Sequence, residues 1–468
     1  MTHRGYGLIA GFALFALMLA LPAPAGMTDL AWRTAALVAL MAVWWMTEAI
    51  PLTATALLPF IVVPLFGVMP ANAIAKEYYS PILFLLLGGA FLALAIERVG
   101  LHRRLALAIL NVSRPSASGL LFAFMVATAL LSMFISNTST ALIMMPIALA
   151  VLAAGKVVEG ETGGIAGALP LGIAFAASIG GLGTLVGSPT NAIAAGLINR
   201  QLGTDIGFLD WAMYGVPIVL LAIPVALLIL LHVQKVAADP FDGRAAAAAI
   251  GSAGSWSSAE KRLVPVFLAV FTAWVSQPWL EPLLPDGALT DGTIAVVGAL
   301  LLFVIPDGSG RPLLNWKEAD RAPWGVIMMF GGGLALAAAI TESGLAEWLG
   351  TALEPLQGVA PITIALVLVG MIILVTEFAS NVAAASGIMP VVAALIGATG
   401  IDPIFLALPA AMAASWGFML PSGTGPNALA WSTGHIALPR MLKAGFALDI
   451  VGIPLLVGTI WAVATLAG

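Results

Sequence analysis

The stretch Phe134-Ile-Ser-Asn-Thr-Ser-Thr-Ala-Leu-Ile-Met-Met-Pro146 has a counterpart 244 residues on, Phe378-Ala-Ser-Asn-Val-Ala-Ala-Ala-Ser-Gly-Ile-Met-Pro390. Phe, Ser, Asn, Ala, Met and Pro recur in register. At the centre of each lies a polar tripeptide, Ser136-Asn137-Thr138 or Ser380-Asn381-Val382. Each tripeptide interrupts an apolar run, 118–155 or 361–399. A single bilayer crossing takes about 17–25 residues, so both runs are too long for one. Irregular polar backbone at membrane depth is tolerated only inside protein or beside a water-filled cavity. The expectation is two re-entrant hairpins whose tips hold a small solute and its coupling cations.

The rest of the composition agrees with a membrane setting. The 468 residues are 61% hydrophobic and 9% charged, against about 25% charged in soluble domains. Mean hydropathy is +1.07. Spans of barrel type would be short and alternating; these runs are long and continuous. There is no cysteine, so disulfide and thiolate chemistry are excluded. The net charge of −5 gives no sign of nucleic-acid binding.

Apolar segments fall at 6–22, 33–49, 51–68, 81–98, 118–155, 166–199, 208–233, 263–280, 290–306, 323–341, 361–399, 404–436 and 441–467. Arg4 followed by an apolar run and Pro22-Ala-Pro-Ala-Gly26 resembles a cleavable leader. A retained first helix is preferred, because the charge count needs it. With the N-terminus inside and both hairpins returning to their own side, 15 basic residues fall inside and 3 (Arg33, Lys76, Arg200) outside. That is the positive-inside pattern. Single crossings of the long runs would invert the later loops and destroy it. The expectation is therefore an all-α polytopic protein of the inner (plasma) membrane with about 11 transmembrane helices plus the two hairpins, its N-terminus cytoplasmic and its C-terminus outside.

Two further blocks repeat. Gly88-Gly-Ala-Phe-Leu-Ala-Leu-Ala-Ile-Glu-Arg-Val-Gly-Leu101 matches Gly332-Gly-Leu-Ala-Leu-Ala-Ala-Ala-Ile-Thr-Glu-Ser-Gly-Leu345 at eight of fourteen positions. Gly187-Ser-Pro-Thr-Asn-Ala-Ile-Ala194 matches Gly423-Thr-Gly-Pro-Asn-Ala-Leu-Ala430. The chain thus reads as an N-terminal helix and loop (1–32), a first repeat (33–233), a cytoplasmic linker (234–262) and a second repeat (263–468). Each repeat carries a hairpin and a broken helix, 166–199 or 404–436. An odd number of crossings between the repeats gives them opposite topology, a common transporter plan.

Each break frees N–H groups at the start of the following half-helix, which favour anions. It also frees carbonyls and exposes Ser, Thr and Asn oxygens, which suit a hard cation. The stretches 118–155, 166–199 and 404–439 contain no Lys, Arg, Asp or Glu, and 361–399 contains only Glu377. An anion at the tips would meet no basic side chain, so co-bound Na⁺ would supply the missing positive field. A neutral polar solute is equally compatible with this reading of the residues.

The paired hairpin motifs, Trp44-Trp-Met-Thr-Glu-Ala-Ile-Pro51 and Ser415-Trp-Gly-Phe-Met-Leu-Pro-Ser-Gly-Thr-Gly-Pro-Asn427 resemble the divalent anion/sodium symporter family over essentially the whole chain. The resemblance implies a homodimer with scaffold and transport domains working as an elevator. It implies Na⁺-coupled uptake of a dicarboxylate, with Na⁺-independent dicarboxylate exchange, citrate or sulfate as alternatives. One sodium site would use Ser132, Ser136, Asn137 and Gly187. A second would use Thr376, Ala379, Asn381 and Gly423. Asn137, Thr138, Ser188, Ser380, Asn381, Val382, Thr424 and Gly425 would line the substrate site. Val382 and Gly425 depart from the residues frequent in the family, Thr and Pro.

Other polar residues have plainer readings. Asn191 and Asn427 are candidates either for binding or for capping. Glu377 is a buried carboxylate expected to accept backbone N–H groups and stiffen its hairpin, with proton coupling as the alternative. Glu48 is expected to be a structural or interface residue. The 13 Trp residues suggest an interfacial belt, and His102 and His435 are placed in loops. No H-E-x-x-H, paired Asp or G-x-S-x-G elbow is present, which argues against an enzyme. Paired hairpins argue for alternating access over a channel.

Overall fold

The computed structural model describes residues 3–158, 160–236, 241, 243–252 and 254–467. It is all-helical: among the described residues there is no strand, only an isolated bridge between Pro306 and Pro312. Nine described helices are long and apolar enough to cross a membrane. Two of these nine are the second arms of the hairpins, Asn137–Ala154 and Asn381–Thr399, so length alone does not separate spans from hairpin arms. The linker carries one short helix, Gly243–Ala248.

Each hairpin has a shorter first arm, Ala117–Ser132 or Pro361–Thr376. These arms stop four residues before the tripeptides begin. Residues 133–136 and 377–380 form the turns, and Asn137 and Asn381 already open the second arms. The tripeptides thus straddle an N-cap and a first helical turn, where Ser and Asn are favoured for their ability to bond the free N–H groups.

The centre of the molecule is Gly164–Gly181, every residue of which is buried. Small residues make this possible. A Cβ on Gly180 would lie 2.3 Å from Ala129 O of the first hairpin, so the two backbones touch. The helix ends at the first break, and Pro189–Leu202 resumes beyond it. The second repeat builds the same unit from Pro403–Ala413 and Gly425–Ser432. A separate apolar cluster joins Asp29–Thr47, Leu58–Leu65, Ala71–Glu77 and Trp324–Glu342, and touches the second hairpin through Ala383.

Two expectations need correcting. His102 lies in a helix, Leu101–Asn111, and is buried; only His435 is in a loop. The Trp belt is partial, since Trp45, Trp211, Trp274 and Trp416 are among the most deeply buried side chains. Each donates its indole N–H to a backbone carbonyl, of Leu52, Leu182, Asp291 and Leu448 respectively. Trp211 reaches a carbonyl freed at the first break, so the indole does there what water does at a surface helix end.

Candidate functional site

Both hairpin tips and both breaks meet at one cavity of about 840 Å³. All eight expected substrate residues line it: Asn137, Thr138, Ser188, Ser380, Asn381, Val382, Thr424 and Gly425. Of the expected cation residues, Ser136, Ala379 and Gly423 also line it, while Ser132, Gly187 and Thr376 lie behind its wall.

Four helices begin at this cavity, at Asn137, Pro189, Asn381 and Gly425. Three of their N-cap hydroxyls accept backbone N–H groups. Ser136 accepts from Ser139, Ser188 from Thr190 and Thr424 from Asn427. A hydroxyl that accepts in this way keeps its own proton to donate. The Ser380 hydroxyl makes no cap bond. The cavity therefore offers hydroxyl donors and four positive helix ends to an anion. Gly425 closes the floor: a Cβ there would lie 2.3 Å from Thr138 Oγ1.

Behind the wall, oxygens crowd together. Ser132 Oγ lies 2.8 Å from Asn137 Oδ1 and 2.7 Å from Ala177 O. One hydroxyl proton cannot serve both acceptors. Thr376 Oγ1 repeats the arrangement, 3.0 Å from Asn381 Oδ1 and 2.7 Å from Ala414 O. Two clusters of three oxygens, each sharing one proton, fit a hard cation with all-oxygen ligands. Gly187 lets the first break close on the first tip: a Cβ there would fall 2.6 to 3.1 Å from the carbonyls of Gly181, Ser132 and Met133. Gly423 has more room: a Cβ there would lie 3.3 Å from Leu420 O and 3.6 Å from Glu377 O. Ser136 Oγ accepts the Ser139 N–H as a cap and lines the cavity, and its second lone pair still allows it to be a ligand.

Asn191 and Asn427 do not line the cavity. Their amide nitrogens staple the breaks, donating to Gly181 O and Thr184 O, and to Leu420 O. They do not cap the second half-helices, whose N-caps are Ser188 and Thr424; they tie each half-helix back to the carbonyls that precede the break. Glu377 accepts from the N–H groups of Met419 and Leu420 at 2.9 and 3.0 Å, so it ties its hairpin to the second break as expected.

Sequence reasoning missed two features of the site. Arg4 and Glu48 also border the cavity. They form an ion pair at 3.7 Å, and Glu48 takes a left-handed backbone (φ 46°) to end its helix. Asp449 was missed as well: it is buried near Glu377. A lone acid inside a 30-residue apolar helix was the available signal.

A model of the sodium:sulfate symporter transmembrane region matches residues 3–466. The chain belongs to the divalent anion/sodium symporter family. Within that family it is similar to the sodium-dependent dicarboxylate transporter SdcS of Staphylococcus saprophyticus. The two are 38% identical over 467 residues, covering 96% of this chain and 89% of the relative. SdcS of Staphylococcus aureus strain MSSA476 is 39% identical over 461 residues, covering 95% and 88%. The fold is similar to the Alcanivorax borkumensis YdaH transporter, whose crystal structure is described as revealing an unusual topology. The TM-score is 0.58 at 16% identity, over 91% of this chain and 97% of that one. As a symporter-family chain it is a carrier and not an enzyme.

Proposed function

We propose that this chain imports a C4-dicarboxylate together with Na⁺, and that at least two sodium ions bind in the oxygen clusters behind the tips. The observation that carries this reading is the division of the site. All-oxygen clusters with too few protons sit directly behind a cavity lined by hydroxyl donors and helix N-termini. Sodium ions in the clusters would lend the cavity its positive field, so anion and cations would bind cooperatively. The SdcS relatives are named as sodium-dependent dicarboxylate transporters, which favours a dicarboxylate over citrate or sulfate.

The wider scheme is a pair of inverted repeats with 11 crossings and two re-entrant hairpins, an inside N-terminus and an outside C-terminus. In support, no ion pair among the described residues joins expected opposite sides. Arg98 pairs with Asp307 and Glu318, Arg104 with Glu260, and Arg321 with Glu97, all on the expected inner side. Arg200 pairs with Glu77 on the expected outer side. The separate cluster around Asp29–Thr47 and Trp324–Glu342 is the natural part of a fixed scaffold. The hairpins and broken helices would then move as an elevator, within a homodimer. Light scattering of the detergent-solubilised protein tests the dimer.

Uptake of labelled succinate into proteoliposomes, with and without an inward Na⁺ gradient, tests the function. Gradient-driven accumulation is expected. Uptake that ignores Na⁺ but requires internal dicarboxylate would replace symport with exchange.

A further inference from the structure

Among the described residues, Arg4 is the one basic side chain that borders the cavity. The acids that border it are Glu48 and Glu377. Glu377 is answered by the Met419 and Leu420 N–H groups. Glu48 is answered by Arg4 at 3.7 Å, and both side chains stay more than half exposed. An ion pair this exposed adds little to stability, and both of its members remain open to a solute in the cavity.

The place of Arg4 is nevertheless set by packing. Further along its helix, His3–Ala20, Gly7 and Gly11 press against Asp29–Thr47. A Cβ on Gly7 would lie 2.2 Å from Thr47 Oγ1, and one on Gly11 2.4 Å from Trp44 Nε1. The Trp44 indole N–H donates to Leu8 O, and its ring meets Phe12 edge-on at 4.8 Å. These contacts seat Arg4 beside Glu48. Glu48 in turn ends its helix in a left-handed backbone, where glycine is usual. A side chain kept against that preference points to function. Both residues hang on the cluster around Asp29–Thr47, across the cavity from the hairpin tips, and on the expected cytoplasmic side.

At the tips a dianion meets hydroxyls and helix ends, which carry only partial charges. Once the coupling cations leave, Arg4 is the full positive charge that remains on the cavity. Its guanidinium fits a carboxylate fork to fork. Trading the Glu48 carboxylate for one of the substrate exchanges one exposed ion pair for another, so the anion is drawn out of the tips without being trapped. We propose that Arg4 receives the dianion at the inner mouth, with Glu48 as its resting partner, and so sets the affinity of the inner face; this inference rests on the Na⁺-symport reading.

The test uses right-side-out and inverted membrane vesicles from cells expressing wild type, Arg4→Gln, Arg4→Lys or Glu48→Gln. Half-saturating labelled succinate is measured on each face at fixed Na⁺. Arg4→Gln should raise it on the inner face about five-fold, the size of one exposed charge contact, and leave the outer face unmoved. Arg4→Lys, which keeps the charge, should restore most of the inner affinity. Glu48→Gln removes the competing carboxylate and should lower the inner value below wild type. Added choline chloride should weaken inner binding in wild type by screening and leave Arg4→Gln unmoved. An unchanged inner value in Arg4→Gln would overturn the proposal. So would equal changes on both faces, which mark a merely structural role. A wild type that ignores Na⁺ in both kinds of vesicle would overturn the symport reading, and this inference with it, before any variant is compared.

Discussion

The two hairpin tips are built alike behind the wall and differently in front of it. In both, a hydroxyl at the end of the first arm sits between a tip Asn and a neighbouring helix carbonyl. In both, a glycine of the adjoining break lies against carbonyls at the end of the first arm, tightly at Gly187 and loosely at Gly423. The front faces diverge. The first tip presents the Thr138 hydroxyl and the second presents Val382. The first leaves Met133 where the second has Glu377, tied to two N–H groups. On the reading proposed above, the two tips agree on the cation side and differ on the substrate face and its anchoring.

The largest effect should come from the shared part. Asn137→Ala and Asn381→Ala each remove an oxygen from a cluster and a donor from the cavity. Each loss of a bond to a charged group costs about 1.5–3 kcal/mol, and both variants are expected to show succinate uptake at background with normal expression. Near-normal uptake in either would break the equivalence of the tips.

Next comes the anchor present on one side only. Glu377→Met gives the second hairpin the residue of the first and strands the N–H groups of Met419 and Leu420. At about 1–3 kcal/mol for each unsatisfied group, a clear drop in thermal stability is expected by scanning calorimetry. An unchanged melting temperature would mean that the break finds other partners.

Ser132→Ala and Thr376→Ala should act more mildly and alike. Each leaves the Asn and carbonyl oxygens in place but removes one ligand, so half-maximal Na⁺ should rise about ten-fold, a change of about 1.4 kcal/mol. Titrating uptake against Na⁺ measures it, and a large inequality would show that the clusters are not equivalent. The smallest effect is expected at the front face. Val382→Thr should change the competition among succinate, malate, citrate and sulfate by a few-fold, on the order of 1 kcal/mol, with Na⁺ dependence unmoved. A shift mainly in Na⁺ dependence would move Val382 from the substrate face to the cation side.

Much of this was legible because the repeat is written in residues with few alternative uses. Asn in an apolar run needs several partners, so Asn137, Asn381, Asn191 and Asn427 pointed to the breaks, though not to which pair faces the cavity. The split between them depends on which carbonyls lie within reach of each amide, a property of packing between distant helices. Helix ends were misplaced by a few residues because hydropathy does not register an N-cap. Trp211 and Trp416 escaped the expected belt because their N–H groups find buried carbonyls, which composition cannot reveal. Arg4 and Glu48 reached the site only through the position of the first two helices. Asp449 was visible as an acid in an apolar helix, but its partner 72 residues earlier was not.

The shortage of protons behind each tip has a kinetic consequence. Before any cation arrives, each cluster holds partly negative oxygens, Asn137 Oδ1 and Asn381 Oδ1 among them, close behind the wall against which a dianion must settle. The anion should therefore come second, after the clusters fill. A carrier that waits in this way resists moving its cargo alone, and so protects the ion gradient from futile cycling.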